Sequence, residues 1–114
     1  MLEHYVIERF DWRTIKKKDA VDRIVEAIKQ SEWYDLHDYH NELFPAKRIN
    51  EEKVKANPAS ILKKILAYIH AGLEVEEILA LWNVVFARQR NVWFDEEEDL
   101  VHYQVAGESL EYVD

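Results

Sequence analysis

Apolar residues recur at three- and four-residue intervals through most of the chain, the period of a helix with one buried face. Val21, Ile24, Val25 and Ile28 make a first stripe, and Trp33, Leu36, Tyr39, His40 and Leu43 a second. At about 100° per residue the two stripes sit roughly a quarter-turn apart, which predicts a break near Ser31 rather than one helix through 19–43. Asp19 is the expected N-cap of the first helix, with Asp22 supporting its positive end. "FPAKRINEEKVKANP" (44–58) has little periodicity and reads as a connector with one helical turn from Glu51 to Ala56. Asn57-Pro58 is the clearest start signal: Asn accepts an orphan backbone N–H, and Pro at the first helical position sacrifices no hydrogen bond. The helix that follows buries Ile61, Leu62, Ile65, Tyr68 and Ile69 and stops at Gly72. A further helix is predicted from Glu74 to about Arg90, with a wide apolar arc of Val75, Ile78, Leu79, Leu81, Trp82, Val85 and Phe86.

Two segments alternate instead. "HYVIERF" (4–10) is rich in β-branched and aromatic residues and predicts a short strand. "NVWF" and "LVHYQV" flank "DEEED", with Val101, Tyr103 and Val105 facing one way and His102 and Gln104 the other. Five acids inside a sheet would repel one another, so they belong at a hairpin tip, and this hairpin is expected to pair with the N-terminal strand. The tail "GESLEYVD" reads as a further edge or a frayed end. The predicted fold is mostly α (α+β): four to five helices packed as a small bundle, with a short N-terminal strand and a C-terminal acidic β-hairpin. One domain over 1–114 is expected.

Composition agrees with a packed core: 48% of the 114 residues are hydrophobic, and there are four Trp, six Tyr and four Phe. The absence of Cys excludes a disulfide scaffold and any thiolate metal site. No leader-like start and no apolar run near ~20 residues is present, so a cytoplasmic location is expected. Charge changes the picture most. Residues 1–90 carry 15 acidic and 15 basic side chains, whereas 91–114 carry eight acids and no Lys or Arg, so the whole net charge of −8 lies in the last 24 residues.

Candidate chemistry is sparse. His37 and His40 in "HDYH" stand at i, i+3 and could reach one metal from a helix, but Asp35, Asp38 and Glu42 project to the far side. They support only a weak third reading, a small metal-dependent hydrolase. "DEEED" lacks the alternating ligands and central Gly of a calcium loop. Ser31, Ser60 and Ser109 lie in no Gly-rich elbow, and Gly72 and Gly107 are too few to cradle a nucleotide phosphate. No catalysis and no cofactor are expected.

The segment 61–90 loosely resembles a helix-turn-helix, which gives an alternative reading as a DNA-binding regulator. Its reading helix would present Glu74, Glu76 and Glu77 to phosphates, so direct nucleic-acid binding is disfavoured. The leading expectation is an acidic protein-binding regulator or inhibitor that occludes a basic surface, on a nucleic-acid-handling enzyme or a toxin, by phosphate mimicry or in the manner of an immunity protein. Asp95, Glu96, Glu97, Glu98 and Asp99 would steer it, and Trp93, Phe94 and Tyr103 would anchor it. Small phage-encoded viral inhibitors and immunity proteins share this size and acidity, a likeness of composition alone. Glu76, Ala80, Asn83 and Ala87 make a strip of small and polar residues along the 74–90 helix that could support a homodimer.

Overall fold

A computed structural model describes the backbone over residues 3–86 and 89–113 and the side chains over 11–86 and 91–105. The chain begins with strand β1 (Glu3–Lys16) and enters helix α1 (Lys17–Lys29) without a loop. Helix α2 (Trp33–Leu43) follows, then a 3-10 turn over Pro45–Lys47, helix α3 (Glu51–Ala56), helix α4 (Pro58–His70) and helix α5 (Val75–Val85). Strands β2 (Gln89–Asp95) and β3 (Leu100–Val113) close the described chain. The architecture is α+β, a helical bundle with an N-terminal strand and a C-terminal hairpin.

Local signals account for most helix limits. The break at residues 30–32 separates two helices whose buried faces differ: Ala20, Ile24, Val25 and Ile28 on α1, and Leu36, Tyr39, His40 and Leu43 on α2. The side chain of Asn50 accepts the Lys53 N–H at 3.0 Å, and that of Asn57 accepts the Ser60 N–H at 3.2 Å. Each satisfies one of the donors that a helix start leaves unpaired. Gly72 ends α4 at φ +102°, a left-handed conformation that disfavours any residue with a Cβ. Glu74 and Glu77 cap α5 reciprocally, each carboxylate accepting the other residue's backbone N–H.

Four boundaries differ from the sequence expectation, one being that the tail read as a further edge or a frayed end continues β3 as far as Val113, paired with β1. The first strand runs to Lys16 rather than Phe10, because all of Glu3–Lys16 pairs antiparallel with Leu100–Val113. Helix α1 therefore starts two residues before Asp19, with Lys16 at the N-cap and no side-chain cap; Asp19 complements the positive helix end from inside the first turn. Helix α5 stops at Val85 rather than near Arg90, and Gln89 already belongs to β2.

The sheet has the order β1-β3-β2, antiparallel throughout, with an irregularity between Gln89 and Val92. Its inner face supplies Val101 and Tyr103, fully or nearly buried, with Ile15, Val92, Phe94 and Val105 packed beside them. Trp82 on α5 has no exposed surface and joins the layers, its ring 5.0 Å from Tyr103 and 4.5 Å from Phe86. Aromatic clusters of this kind bury large apolar areas and dominate the energetics of a small core. Fourteen-residue strands at about 3.3 Å per residue reach some 46 Å. They outrun the short β2, and the radius of gyration is 17.5 Å, against about 13 Å for a compact chain of this length.

Candidate functional site

The acidic hairpin turn is a defined structure. Asp95 and Leu100 are the last register pair of β2 and β3, so Glu96, Glu97, Glu98 and Asp99 form a four-residue loop. Asp95 Oδ1 accepts the backbone N–H groups of Glu97 at 3.0 Å and Glu98 at 3.2 Å, a local turn that Asp forms readily. Asp99 takes φ +54°, the left-handed residue that lets a four-residue loop rejoin its strand. The backbone N–H of Lys17 donates to the Asp99 carbonyl at 3.3 Å, tying the turn to the start of α1. Glu96, Glu97, Glu98 and Asp99 are exposed.

No ion pair involving these five carboxylates occurs among the described residues. The pairs present there are Lys29 with Glu26 and His37 with Asp38. Lys17, which begins beside the turn, extends its ammonium over the Phe94 ring at 5.9 Å instead. Exposed carboxylates left in this state project their field into solvent over about 8 Å at physiological salt.

The three aromatic residues expected to anchor a partner are placed very differently. Trp93 is 45% exposed, its ring stacked on His102 at 4.0 Å and 7°. Phe94 is half-buried and turned inward against the core. Tyr103 is only 6% exposed; its hydroxyl accepts from Arg23 Nη1 at 3.2 Å, and Arg23 also lies over Trp82 and Phe86. The alternation of β3 puts Tyr103 on the inner face, so it is a core residue and leaves the surface anchors. Trp12, by contrast, is 50% exposed. Trp12 is opposite Gln104 in the register and Trp93 opposite His102, so both project from the outer face of the sheet. Sequence reading missed Trp12 because "DWRTIK" shows its alternation only once its partner strand is known.

His37 and His40 both meet the side chain of Asn41, one at each polar atom of its amide. His40 is fully buried; its Nδ1 is 3.1 Å from Asn41 Oδ1 and its Nε2 3.3 Å from Lys64 Nζ. Asn41, also buried, donates to the Ile49 carbonyl at 3.0 Å and accepts the Ile49 N–H at 2.9 Å, and its amide is 3.1 Å from His37 Nε2. The network fixes the protonation pattern. Asn41 Oδ1 can only accept, so His40 carries its proton on Nδ1 and receives the Lys64 N–H at Nε2. Asn41 Nδ2 can only donate, so His37 is protonated on Nδ1, 3.4 Å from Asp38 Oδ1. Burial pushes the His40 pKa down, the Asn41 hydrogen bond opposes this, and Lys64 lowers it further. Both rings are thus committed to a clasp that holds the 44–50 connector, and the described residues contain no group of three metal-ligating side chains.

The carboxylates at the start of α5 are likewise engaged. Glu74 and Glu77 cap the helix, and the Tyr68 hydroxyl donates to Glu77, which raises the tyrosine's pKa. In the strip considered for self-association, Glu76 and Asn83 are exposed and Ala80 is half-buried, while Ala87 lies outside the described residues. A shallow cleft between α2, the connector and α5 is lined by Asp38, Asn41, Glu42, Arg48 and Val84. No helix among the described residues is long and apolar enough to cross a membrane. The chain matches no protein-family model, no curated protein and no solved structure.

Proposed function

We propose that this protein is a non-catalytic, acidic regulator or inhibitor that binds a basic surface of a partner protein and occludes it. A nucleic-acid-binding groove imitated through its phosphates, or a basic toxin neutralised as by an immunity protein, would be such a target. The observation that carries this reading is the turn Asp95–Asp99: five carboxylates, none ion-paired within the described chain, on a loop held by its own hydrogen bonds and tied to the helical body. A fixed, unneutralised charge cluster accelerates encounter with an oppositely charged surface and repels wrong partners, and no catalytic group is needed for occlusion. Exposed Trp93, two residues from the first acid, supplies apolar anchoring area next to the charge.

Retention of proteins from a cell lysate at low and at high salt tests it. Wild-type protein should hold basic proteins at low salt and release most of them as salt approaches ~0.5 M, where screening acts over about 4 Å. Glu96→Gln/Glu97→Gln/Glu98→Gln should retain several-fold less. Retention indifferent to both salt and the triple substitution would sink the reading.

A further inference from the structure

On the outer face of the sheet the described charged side chains are Lys16 and Asp95, which flank Leu100 in the register at the turn end; the next two rows carry none. Trp12 and Thr14 on β1, His102 and Gln104 on β3, and Asn91 and Trp93 on β2 share these rows by register and contact. The Asn91 amide donates to Gln104 Oε1 at 2.7 Å, and Trp93 lies flat on His102, leaving the other side of its indole to solvent. The two Trp rings are two of the three large hydrophobic side chains exposed among the described residues. Flanking β3 on opposite sides, they stand about 10 Å apart across the strands and about 7 Å along them.

Elsewhere this chain covers its aromatic rings with its own cations. Lys17 lies over Phe94, Arg23 over Trp82 and Phe86, Lys55 over Trp33, and Lys64 over Phe44, all within 5.9 Å. No cation among the described residues lies over Trp12 or Trp93, although both expose more surface than any of those rings.

We propose that the outer sheet face is a docking surface for arginine side chains of a partner protein, with guanidinium planes stacking on Trp93 and Trp12. This rests on the function proposed above and names the chemistry of its partner. Charge complementarity selects the occupant. Asp95 follows Trp93 by two residues, about 7 Å along the strand and within the ~8 Å screening length, so a cation on that indole also feels the turn. A single-stranded nucleic acid would stack on the same rings but would be repelled by the same carboxylates. Arginine suits the surface better than lysine because its planar, weakly hydrated guanidinium stacks on an aromatic face while its N–H groups remain free to hydrogen-bond Gln104, Asn91 or a carboxylate.

Titration with nona-arginine and nona-lysine peptides at one low ionic strength, read by tryptophan fluorescence and calorimetry, separates stacking from charge. Wild-type protein should prefer the arginine peptide by about five- to tenfold. Trp12→Ala/Trp93→Ala should bring the two peptides within about twofold while keeping the salt dependence, and its thermal melt should stay close to wild type because both rings are exposed. Glu96→Gln/Glu97→Gln/Glu98→Gln should weaken both peptides and flatten the salt dependence while keeping the preference for arginine. Equal affinities in wild type, or a preference that survives the double Trp substitution, overturns the stacking proposal and leaves the acidic reading standing. Binding of neither peptide overturns both. Tighter binding of single-stranded DNA than of nona-arginine, or a dimer in sedimentation that Trp12→Ala/Trp93→Ala dissolves, assigns the face to another occupant and overturns the proposal.

Discussion

Asn41 in the helical body and Glu96, Glu97 and Glu98 in the hairpin turn are polar groups in opposite circumstances. Asn41 has both polar atoms of its amide engaged with the chain itself, through Ile49, His40 and His37. The three glutamates accept nothing from any described side chain, although their own backbone holds the turn in place. The body is charge-balanced: its exposed charges of both signs offset one another, and its buried Asn41 and His40 are bonded within the chain. The hairpin carries the surplus charge and directs it outward. A fold that needs its polar groups consumes them, so groups left unconsumed on a rigid support are available for something else.

The sharpest way to break this contrast is to remove a consumed group. Asn41→Ala leaves the N–H and carbonyl of Ile49 unpaired in a partly buried site and strips His40 of its acceptor. A loss of about 2–4 kcal/mol is expected, from one to three kcal/mol for each buried group left unsatisfied. Urea unfolding should show a lower midpoint with an unchanged slope, and limited proteolysis should cut within 44–50 well before global unfolding. A loss below about 0.5 kcal/mol, the usual range for an exposed site, would mean that the connector holds without its clasp.

The next effect comes from the same network through pH. His40 is neutral when folded, its pKa held below the ordinary 6.5 mainly by burial, with Lys64 and Lys53 contributing positive charge nearby. The unfolded chain binds this proton more readily, so the stabilisation is fully present above about pH 6.5 and is lost progressively as pH falls below that value toward the folded-state pKa. Thermal melts between pH 7.5 and 5 should show this decline, and His40→Gln should flatten it. A decline of equal steepness in the variant would assign it to other groups.

These two regions were not equally legible in the sequence. Asn57-Pro58, Gly72 and Glu74 marked helix ends because capping is local chemistry: one side chain, one turn, one backbone donor or left-handed angle. The alternation of Val101, Tyr103 and Val105 is readable for the same reason, and it already places Tyr103 on the inner face, where a side chain packs into the core. What the sequence hid depends on distant partners. Lys16 ends β1 because it pairs with Leu100, and Asp19 lost the cap position to that register rather than to any weakness as a cap. Arg88 and Arg90 sit where cations suit a helix end, yet α5 stops at Val85. Asn41 carries no local mark, because its partner Ile49 lies eight residues away across the connector. The acidic turn was legible throughout, as a run of charge needs no partner to be seen.

The smallest expected effect tests the other side of the contrast. Glu96→Gln/Glu97→Gln/Glu98→Gln alters three side chains that are exposed and make no hydrogen bond or ion pair among the described residues. Stability should stay within about 0.5 kcal/mol of wild type, with a slight gain at low salt as repulsion among neighbouring carboxylates is relieved. The turn itself should persist, because its hydrogen bonds run from the backbone of Glu97 and Glu98 to Asp95, which is untouched. Equilibrium unfolding at ~10 mM and ~500 mM salt decides the matter, since the Debye length falls from about 30 Å to about 4 Å between them. Should the variant lose more than about 1 kcal/mol at either salt, the carboxylates would be structural after all, and their outward charge would need no partner to explain it.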